Sequence, residues 1–226
     1  MRRPAQSFGS ADQARQGAAL HEVANSSRQV FVESKEEPHG EDVEGEEGGH
    51  SGCRRFEQVE LTEPKKALEA AGAMTEIVSP AEGEVQGWNH DEKADSFKVD
   101  MPLKRARSDD YDALLLPGGV RNPDQLRMMM RAVEFVDGFF ATGKPVAAIC
   151  HAPWTLIDSE VVKGRTITSW PSLKKDLINA GAHWVDREVV VDNGLITSRK
   201  PADIPAFNKK MIEEFAEGRH SRQRAA

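Results

Sequence analysis

The sequence predicts an α/β fold in which a mostly parallel sheet is covered by helices on both faces. Three observations predict it. Leu114-Leu115-Leu116 and Val146-Ala147-Ala148-Ile149 are apolar at every position, as strands buried on both faces are. Amphipathic helical segments alternate with strand-like ones from residue 56 onward, the pattern of crossover-connected parallel strands. Both apolar runs stop abruptly, one at Pro117-Gly118-Gly119 and the other at Cys150-His151-Ala152-Pro153. Such sheets hold their ligands beyond the carboxyl ends of their strands.

Residues 1–55 do not read as a folded unit. Between Glu33 and Glu47 eight acidic residues face the single Lys35, too polar a stretch to offset its ordering entropy. Gln29-Val30-Phe31-Val32 is the one strand-like patch there. The domain is expected over 56–218, with a disordered tail at 219–226. Leu61, Pro64, Leu68 and Ala71 share a helical face, Gly72 is a natural stop, and Pro64 should kink this helix or lie near its first turn. Met74 to Ser79 is a short strand, Gly83 to Gly87 a hairpin-like excursion, and Ser96 to Asp100 a further strand. Trp88-Asn89-His90-Asp91 reads as a loop against a pocket or interface. Tyr111 to Leu116 is a buried strand. Asp124 to Thr142 is expected as one helix with Leu126, Met130, Val133, Val136 and Phe140 inward, closed by Gly143. After the strand Val146 to Ile149 come a helix over Trp154 to Val161 and a strand over Arg165 to Ser169. Ser172 reads as the N-cap of a helix over Leu173 to Ala180. Asp192-Asn193-Gly194 between apolar runs is a hairpin near the C-terminus, and Asp203 to Phe215 is the last helix.

Composition narrows the function. A net charge of −7 argues against nucleic acid or an anionic membrane surface as partner. No apolar run approaches membrane-spanning length, and Arg2 and Arg3 precede no apolar signal region. Two cysteines, Cys53 and Cys150, imply no disulfide framework, so the reducing cytoplasm is the expected compartment. His50 and Cys53 are two ligands in an acidic, glycine-rich stretch and do not make a metal site; no metal and no cofactor is expected.

The chemistry gathers at Cys150. A buried strand that ends at a cysteine and turns into a helix puts the sulfur at a helix N-terminus, where backbone N–H groups favour thiolate. Strand, cysteine, helix is the arrangement of a nucleophile elbow, and the small Ala148 and Ala152 suit its sharp turn. The His151 N–H and one from Gly118-Gly119 would face a developing oxyanion, worth about 3 kcal/mol each in the transition state. The bland alternative is an inert buried thiol. Trp154 and Trp170 are expected at the pocket rim.

Pro117-Gly118-Gly119, Ala147 to Pro153, Phe56 to Leu61 and Thr197-Ser198-Arg199 together resemble the PfpI/ThiJ family of the class I glutamine amidotransferase-like superfamily. The similarity runs from Phe56 to about Phe215. It implies a flavodoxin-like three-layer sandwich, homo-oligomers and a reactive cysteine at the elbow, here Cys150. It also implies a glutamate on the first helix, four residues before a proline, that hydrogen-bonds the sulfur: Glu60 before Pro64. In such proteins the histidine after the cysteine is catalytic, paired with an acid from a neighbouring subunit. His151 is that histidine and Asp124 the nearest match for the acid, although Asp124 could instead cap its helix. Adjacent to Cys150, His151 is not expected to aim its ring easily at that sulfur. A glutamine amidotransferase would need a late His-x-Glu unit, which the sequence lacks.

The expected function is a cysteine-dependent hydrolase of the peptidase, deglycase or glyoxalase type, acting on a small carbonyl compound, a peptide or a glycated protein, in stress protection. The competing readings are a non-enzymatic redox-sensing or chaperone-like stress protein, and an inactive relative with a damaged N-terminus. The last arises because the family's first strand runs straight into the Phe56-Glu57 motif, whereas Glu46 to Arg55 has no strand pattern here. Val30 to Val32 supplies that strand only across an insertion of roughly twenty residues, long for a loop.

Overall fold

The computed structural model describes residues 28–32, 55–221 and 223. Among them, seven strands form the main sheet, in the order β11-β12-β8-β7-β1-β3-β6. In chain order these are β1 (Arg28–Val32), β3 (Met74–Ser79), β6 (Met101–Pro102), β7 (Ala113–Leu116), β8 (Val146–Ile149), β11 (Val189–Asp192) and β12 (Leu195–Ser198). Every pairing is parallel except β11 with β12, where Asn193 (φ 48°) and Gly194 (φ 77°) make the tight hairpin turn that the Asp192-Asn193-Gly194 signal predicts. A second sheet joins β2 (Arg55–Glu57) to the hairpin of β4 (Glu84–Asn89) and β5 (Glu92–Lys98). A two-stranded piece pairs β9 (Thr166–Ile167) with β10 (His183–Trp184).

The period-two alternation of the central strands divides the core into two layers. Leu114, Leu116, Val146 and Ala148 face one cluster. There they meet Phe135, Val136 and Phe139 of α3 (Met130–Ala141), Leu156 of α4 (Pro153–Asp158) and Leu177 of α5 (Lys174–Asn179). Ala113, Leu115, Ala147 and Ile149 face the other. That layer is Leu61 and Leu68 of α1 (Gln58–Ala70) with Phe207, Met211 and Phe215 of α6 (Ile204–Glu217). Helices on both faces of a parallel sheet make the flavodoxin-like three-layer sandwich. Pro64 lies inside α1, buried on its inner face, so the helix forgoes one backbone hydrogen bond there.

The central strand comes from the N-terminal region. Arg28–Val32 lies between β3 and β7 and is parallel to both, with Phe31 in register with Ile77 on one side and Leu115 on the other. Residues ahead of 56 therefore contribute to the sheet, across the long connection that the sequence left open.

Three expectations need correction. The helix expected over Asp124 to Thr142 is two helices, α2 (Arg121–Leu126) and α3, parted at Met129, whose backbone is extended (φ −98°, ψ 107°). The break resets the helical phase. It buries Phe135 and Phe139, edge to face at 5.4 Å, and leaves Met130 77% exposed where an unbroken helix would have turned it inward. Ser172 is not an N-cap: it lies in a 3-10 turn, Pro171–Leu173, and α5 starts behind Leu173 without a side-chain cap. The disordered tail expected from 219 does not hold for His220 and Gln223. The His220 N–H donates to the Gly143 carbonyl at 2.7 Å, and the buried Gln223 amide donates to the Lys144 carbonyl at 3.1 Å. No helix among the described residues is long and apolar enough to cross a membrane.

Candidate active site

Cys150 sits where β8 turns toward α4, with a φ of 62° that L-residues rarely adopt. Such a conformation costs on the order of 1–3 kcal/mol and persists only where its surroundings fix it. Here the Cys150 N–H donates to the Ser198 carbonyl at 3.0 Å, and its own carbonyl accepts the Trp170 N–H at 2.9 Å. The elbow is thus pinned by β12 on one side and by the loop before α5 on the other. Only 6% of Cys150 is exposed.

The Pro117-Gly118-Gly119 turn meets the elbow at a spacing that tolerates glycine alone. A Cβ on Gly118 would lie 2.6 Å from Glu60 Oε2 and 2.7 Å from Cys150 Cβ; one on Gly119, where φ is 74°, would lie 2.8 Å from the Glu57 nitrogen. The sequence assigns N–H groups of this turn to an oxyanion. The Gly118 N–H instead donates to Glu60 Oε2 at 3.0 Å, because the buried carboxyl needs a donor there. The backbone N–H groups of Gly119 and His151 lie near enough to the Cys150 sulfur to favour its charged form, and that of Gly119 does the same for Glu60.

Glu60 projects from the first turn of α1 and is wholly buried. Burial pushes its carboxyl up to about 8, against the opposing effect of a hydrogen bond with Cys150. The group is thus mainly a neutral acid at pH 7. Among the described residues its Oε1 has no hydrogen-bond partner, which suits a protonated oxygen beside sulfur. Glu60 and Cys150 are near enough for each to shift the other's proton affinity. Burial also pushes the Cys150 thiol up, and a charge on Glu60 would push it further; the Gly119 and His151 N–H groups act the other way. The helix-dipole argument for a resting thiolate is outweighed. The helix that follows, α4, is six residues long and starts three positions beyond the sulfur.

His151 differs from its expectation. The positive φ at Cys150 swings the two side chains to one side, and His151 Nδ1 lies 3.2 Å from Cys150 Sγ. Burial depresses the imidazole to about 4, so it is neutral at pH 7. Its ring is stacked on Trp170 (5.7 Å between centroids, 25°) and tilted against Trp154 (5.6 Å, 55°). Nε2 is 3.4 Å from the Ser172 hydroxyl. With Nδ1 accepting the S–H, Nε2 carries the ring proton and Ser172 Oγ accepts it, an assignment that follows from the partners.

The cysteine opens into a cleft of about 280 Å³, lined by Phe56, Glu57, Trp88, His90, Asp91, Gly119, Arg121, His151 and Trp170 among others. The β4–β5 hairpin tip reaches this cleft because Glu57 accepts the His90 N–H at 3.1 Å. Asp124 is exposed on the short helix α2 and does not line the cleft, nor is it the N-cap, which is Val120. The role expected of Asp124 crosses a subunit boundary, and within one chain it makes no hydrogen bond to His151. Ser172 was missed as a site residue because its position after Trp170 and Pro171 reads equally well as a helix cap. No local signal marks it, because only the fold brings residues twenty-one apart together. His50 and Cys53 lie outside the described residues. Among those described, Glu214, Glu217 and His220 hold potential ligand atoms within 4.8 Å of one another, and none of them lines the cleft.

Comparison with known proteins agrees with this geometry. The DJ-1/PfpI family model matches residues 52–214. YraA of Bacillus subtilis, provisionally named a cysteine protease, is 44% identical over 158 residues, which covers 70% of this chain and 91% of YraA. The crystal structure of DJ-1beta from Drosophila melanogaster superposes with a TM-score of 0.69 at 26% identity, covering 85% of this chain and 91% of that one. A two-domain protein of Anabaena variabilis, with DJ-1/ThiJ/PfpI-like and ferritin-like domains, gives a TM-score of 0.69 at 28% identity. It is matched over 83% of this chain and 48% of its own, so the chain spans about half of that protein.

Proposed function

The chain belongs to the DJ-1/PfpI family, and we propose that it is a cysteine-dependent hydrolase of the PfpI type, with peptidase, deglycase or glyoxalase-like action. The observation that carries the reading is the 3.2 Å contact between Cys150 Sγ and the neutral His151 Nδ1, with the Gly119 and His151 backbone N–H groups favouring charge on the sulfur. A thiol with a base in contact and donors for the resulting charge is equipped for nucleophilic attack.

In the proposed reaction the Cys150 S–H proton passes to His151 Nδ1 as sulfur attacks a carbonyl carbon. The C=O π pair moves to oxygen, and the Gly119 and His151 N–H groups turn from sulfur to that oxyanion. With a peptide or other acyl substrate, the Nδ1 proton then goes to the leaving nitrogen or oxygen as its bond to carbon breaks, leaving a thioester; with an aldehyde such as methylglyoxal, which carries no leaving group, the oxyanion takes that proton and the adduct is a hemithioacetal. Water adds to the thioester and gives a proton to Nδ1. The carbon–sulfur bond breaks, and the thiol recovers that proton. Glu60, protonated, donates to the sulfur whenever it bears charge. The cleft admits a small carbonyl compound or a single side chain of a peptide or glycated protein, within a cytoplasmic homo-oligomer active in stress protection.

A second reading, a non-enzymatic redox or chaperone-like stress protein, draws on the upward push on the buried thiol, which makes it a weak nucleophile at rest. One experiment separates the two. Methylglyoxal, a glycated peptide and a fluorogenic peptide are offered to the wild type and to Cys150→Ala. Turnover by the wild type that falls at least a thousandfold in the variant is expected, on the order of losses seen for catalytic nucleophiles. Absence of turnover by either protein, with equal protection of client proteins from aggregation by both, removes the catalytic reading.

A further inference from the structure

At the end of the sheet away from Cys150, the last turn of α6 carries two glutamates beside a histidine of the segment that follows. We propose that Glu214, Glu217 and His220 form a structural site for a divalent transition metal of the zinc class, with the buried carboxamide oxygen of Gln223 as a neutral donor next to them. One potential ligand atom from each of Glu214, Glu217 and His220 lies within 4.8 Å of the other two. A metal there would tie the C-terminal segment to α6. The site stands apart from the cysteine chemistry: Pro201, which lines the cleft, precedes α6, and the 14 residues of that helix put its last turn roughly 20 Å farther on.

The chain beyond α6 is built to bring His220 to this place. Gly218 ends the helix in the left-handed region (φ 78°), so the backbone turns away from the helix path. The His220 N–H donates to the Gly143 carbonyl at 2.7 Å, and the Gln223 N–H donates to the His220 carbonyl at 3.0 Å. Two glycines make room for the segment. A Cβ on Gly143 would lie 2.7 Å from the His220 carbonyl oxygen, and one on Gly194 would lie 2.6 Å from His220 Cδ2. With its backbone pinned, His220 holds Nε2 3.4 Å from Glu214 Oε2, yet the pair lacks the geometry of a hydrogen bond. The two atoms match corners of a tetrahedron around one ion, whose edges are about 3.4 Å when its bonds are about 2.1 Å. Nε2 is enclosed by this chain itself, so its want of a partner among the described residues does not depend on what surrounds the molecule.

Gln223 is the second, independent sign of a ligand. Its side chain is wholly buried, its Nε2 donates to the Lys144 carbonyl at 3.1 Å, and its Oε1 has no partner among the described residues. Oε1 lies 2.6 Å from the same Gly194 Cβ position that lies 2.6 Å from His220 Cδ2, which sets it against the edge of the imidazole next to Nε2. A buried amide oxygen without a donor costs free energy, and a cation beside it offsets that cost. Electrostatics points the same way. The C-terminus of a helix is negative and favours cations, whereas the last turn of α6 holds Glu214 and Glu217 and no basic residue. Lys210, one turn earlier, is held by Glu213 at 2.5 Å. A dication would balance both carboxylates and the helix end together. An imidazole with two carboxylates suits zinc-class ions, whereas Mg²⁺ and Ca²⁺ take oxygen ligands.

The test is Zn²⁺ binding to the full chain at neutral pH, after chelation and exchange into metal-free buffer, followed by isothermal titration calorimetry and by thermal unfolding. Thiols also bind zinc, so the reference is Cys53→Ala/Cys150→Ala, and Glu217→Gln and His220→Gln are each added to it. Glu217 is exposed at the helix end and His220 is pinned through its backbone, so both variants should fold, which near-ultraviolet circular dichroism checks. The thiol-free reference should bind one Zn²⁺ per chain, and its unfolding midpoint should rise by about 5 °C when free Zn²⁺ is roughly a hundredfold above Kd. Each ligand variant should bind at least roughly tenfold more weakly, the loss that follows even from removing a group that only orients a ligand. The rise in midpoint should shrink accordingly, and an excess of Mg²⁺ should not displace the zinc. Absence of Zn²⁺ binding by the thiol-free reference overturns the proposal, as does unchanged affinity in either Glu217→Gln or His220→Gln. Loss of hydrolysis on removing Cys150 bears only on the proposed function, because the reference protein already lacks that thiol.

Discussion

Replacing Glu60 by glutamine should make the stability of this protein much less dependent on pH. The carboxyl is fully buried and its affinity for protons is raised from the ordinary 4.5 to about 8, first by burial and further by the charge of Glu57. Between those two values the folded protein keeps a proton that the unfolded chain has lost. The stabilisation is therefore fully present below pH 4.5 and is lost as pH rises toward 8. At about 1.4 kcal/mol per unit, the full interval amounts to roughly 5 kcal/mol, of which roughly 3 kcal/mol falls between pH 5 and pH 8. Glutamine has the same shape, accepts the Gly118 N–H with its oxygen, and offers an N–H toward the sulfur in place of the acid O–H. It does not titrate. Urea unfolding followed by tryptophan fluorescence at pH 5, 6, 7 and 8 should show the wild type losing stability relative to Glu60→Gln by roughly 3 kcal/mol across the series. Curves that stay parallel within about 0.5 kcal/mol, the ordinary scatter of additive effects, would refute a protonated Glu60 in the native state.

Gly118→Ala should cost about 3 kcal/mol, at the upper end for overpacking, because its Cβ would meet Glu60 Oε2, Cys150 Cβ and the Ile149 carbonyl at 2.6–2.7 Å, two of them backbone or near it. A thermal unfolding midpoint equal to the wild type's would contradict the close approach of the two strand ends. A chain started at Phe56 should fail to accumulate as soluble, cooperatively folding protein. It removes the strand that gives β3 five residue pairs and β7 three, leaving two unpaired edges in the middle of a sheet. A sharp unfolding transition in that shorter chain, at the full-length midpoint, would show that Arg28–Val32 is dispensable.

The sequence carried most of the fold because its strongest signals are short-range. Four consecutive apolar residues in β7 and in β8 identify strands covered on both faces, and Asn193-Gly194 identifies a hairpin, with no knowledge of the rest. What it missed depends on competition between distant residues. Nothing local at Arg127 to Met129 stops the helix. It stops at Met129, and α3 starts in a phase that buries Phe135 and Phe139 and leaves Met130 exposed, a choice that depends on the opposing sheet. Arg28–Val32 was ambiguous for a similar reason. A strand placed in mid-sheet is identified by its partners Ile77 and Leu115, and the sequence that follows it is acidic and glycine-rich. At the site, Cys150, Glu60 and Gly119 were legible from motif resemblance. The His151 contact was not, because it depends on a backbone angle of 62° at Cys150 that no residue type announces.

That angle also bears on how the thiol is activated. A cysteine meant to rest as a thiolate is best placed near solvent and positive charge. This one is buried, faces a carboxyl, and is pushed toward the protonated state by both. Yet each neighbour of the sulfur is a donor once charge develops: the protonated Glu60, the Gly119 N–H and the His151 N–H. Hydrogen bonds to sulfur are weak while it is a thiol and strengthen when it is an anion. The pair Glu60 and Cys150 titrates as a unit, and losing the second proton would place two negative charges side by side, so the site tolerates one. The proton on sulfur must then leave during attack, toward the imidazole 3.2 Å away that burial has kept neutral. Interactions that are feeble at rest and strong as the reaction proceeds lower the barrier to attack without holding a reactive thiolate in the resting protein.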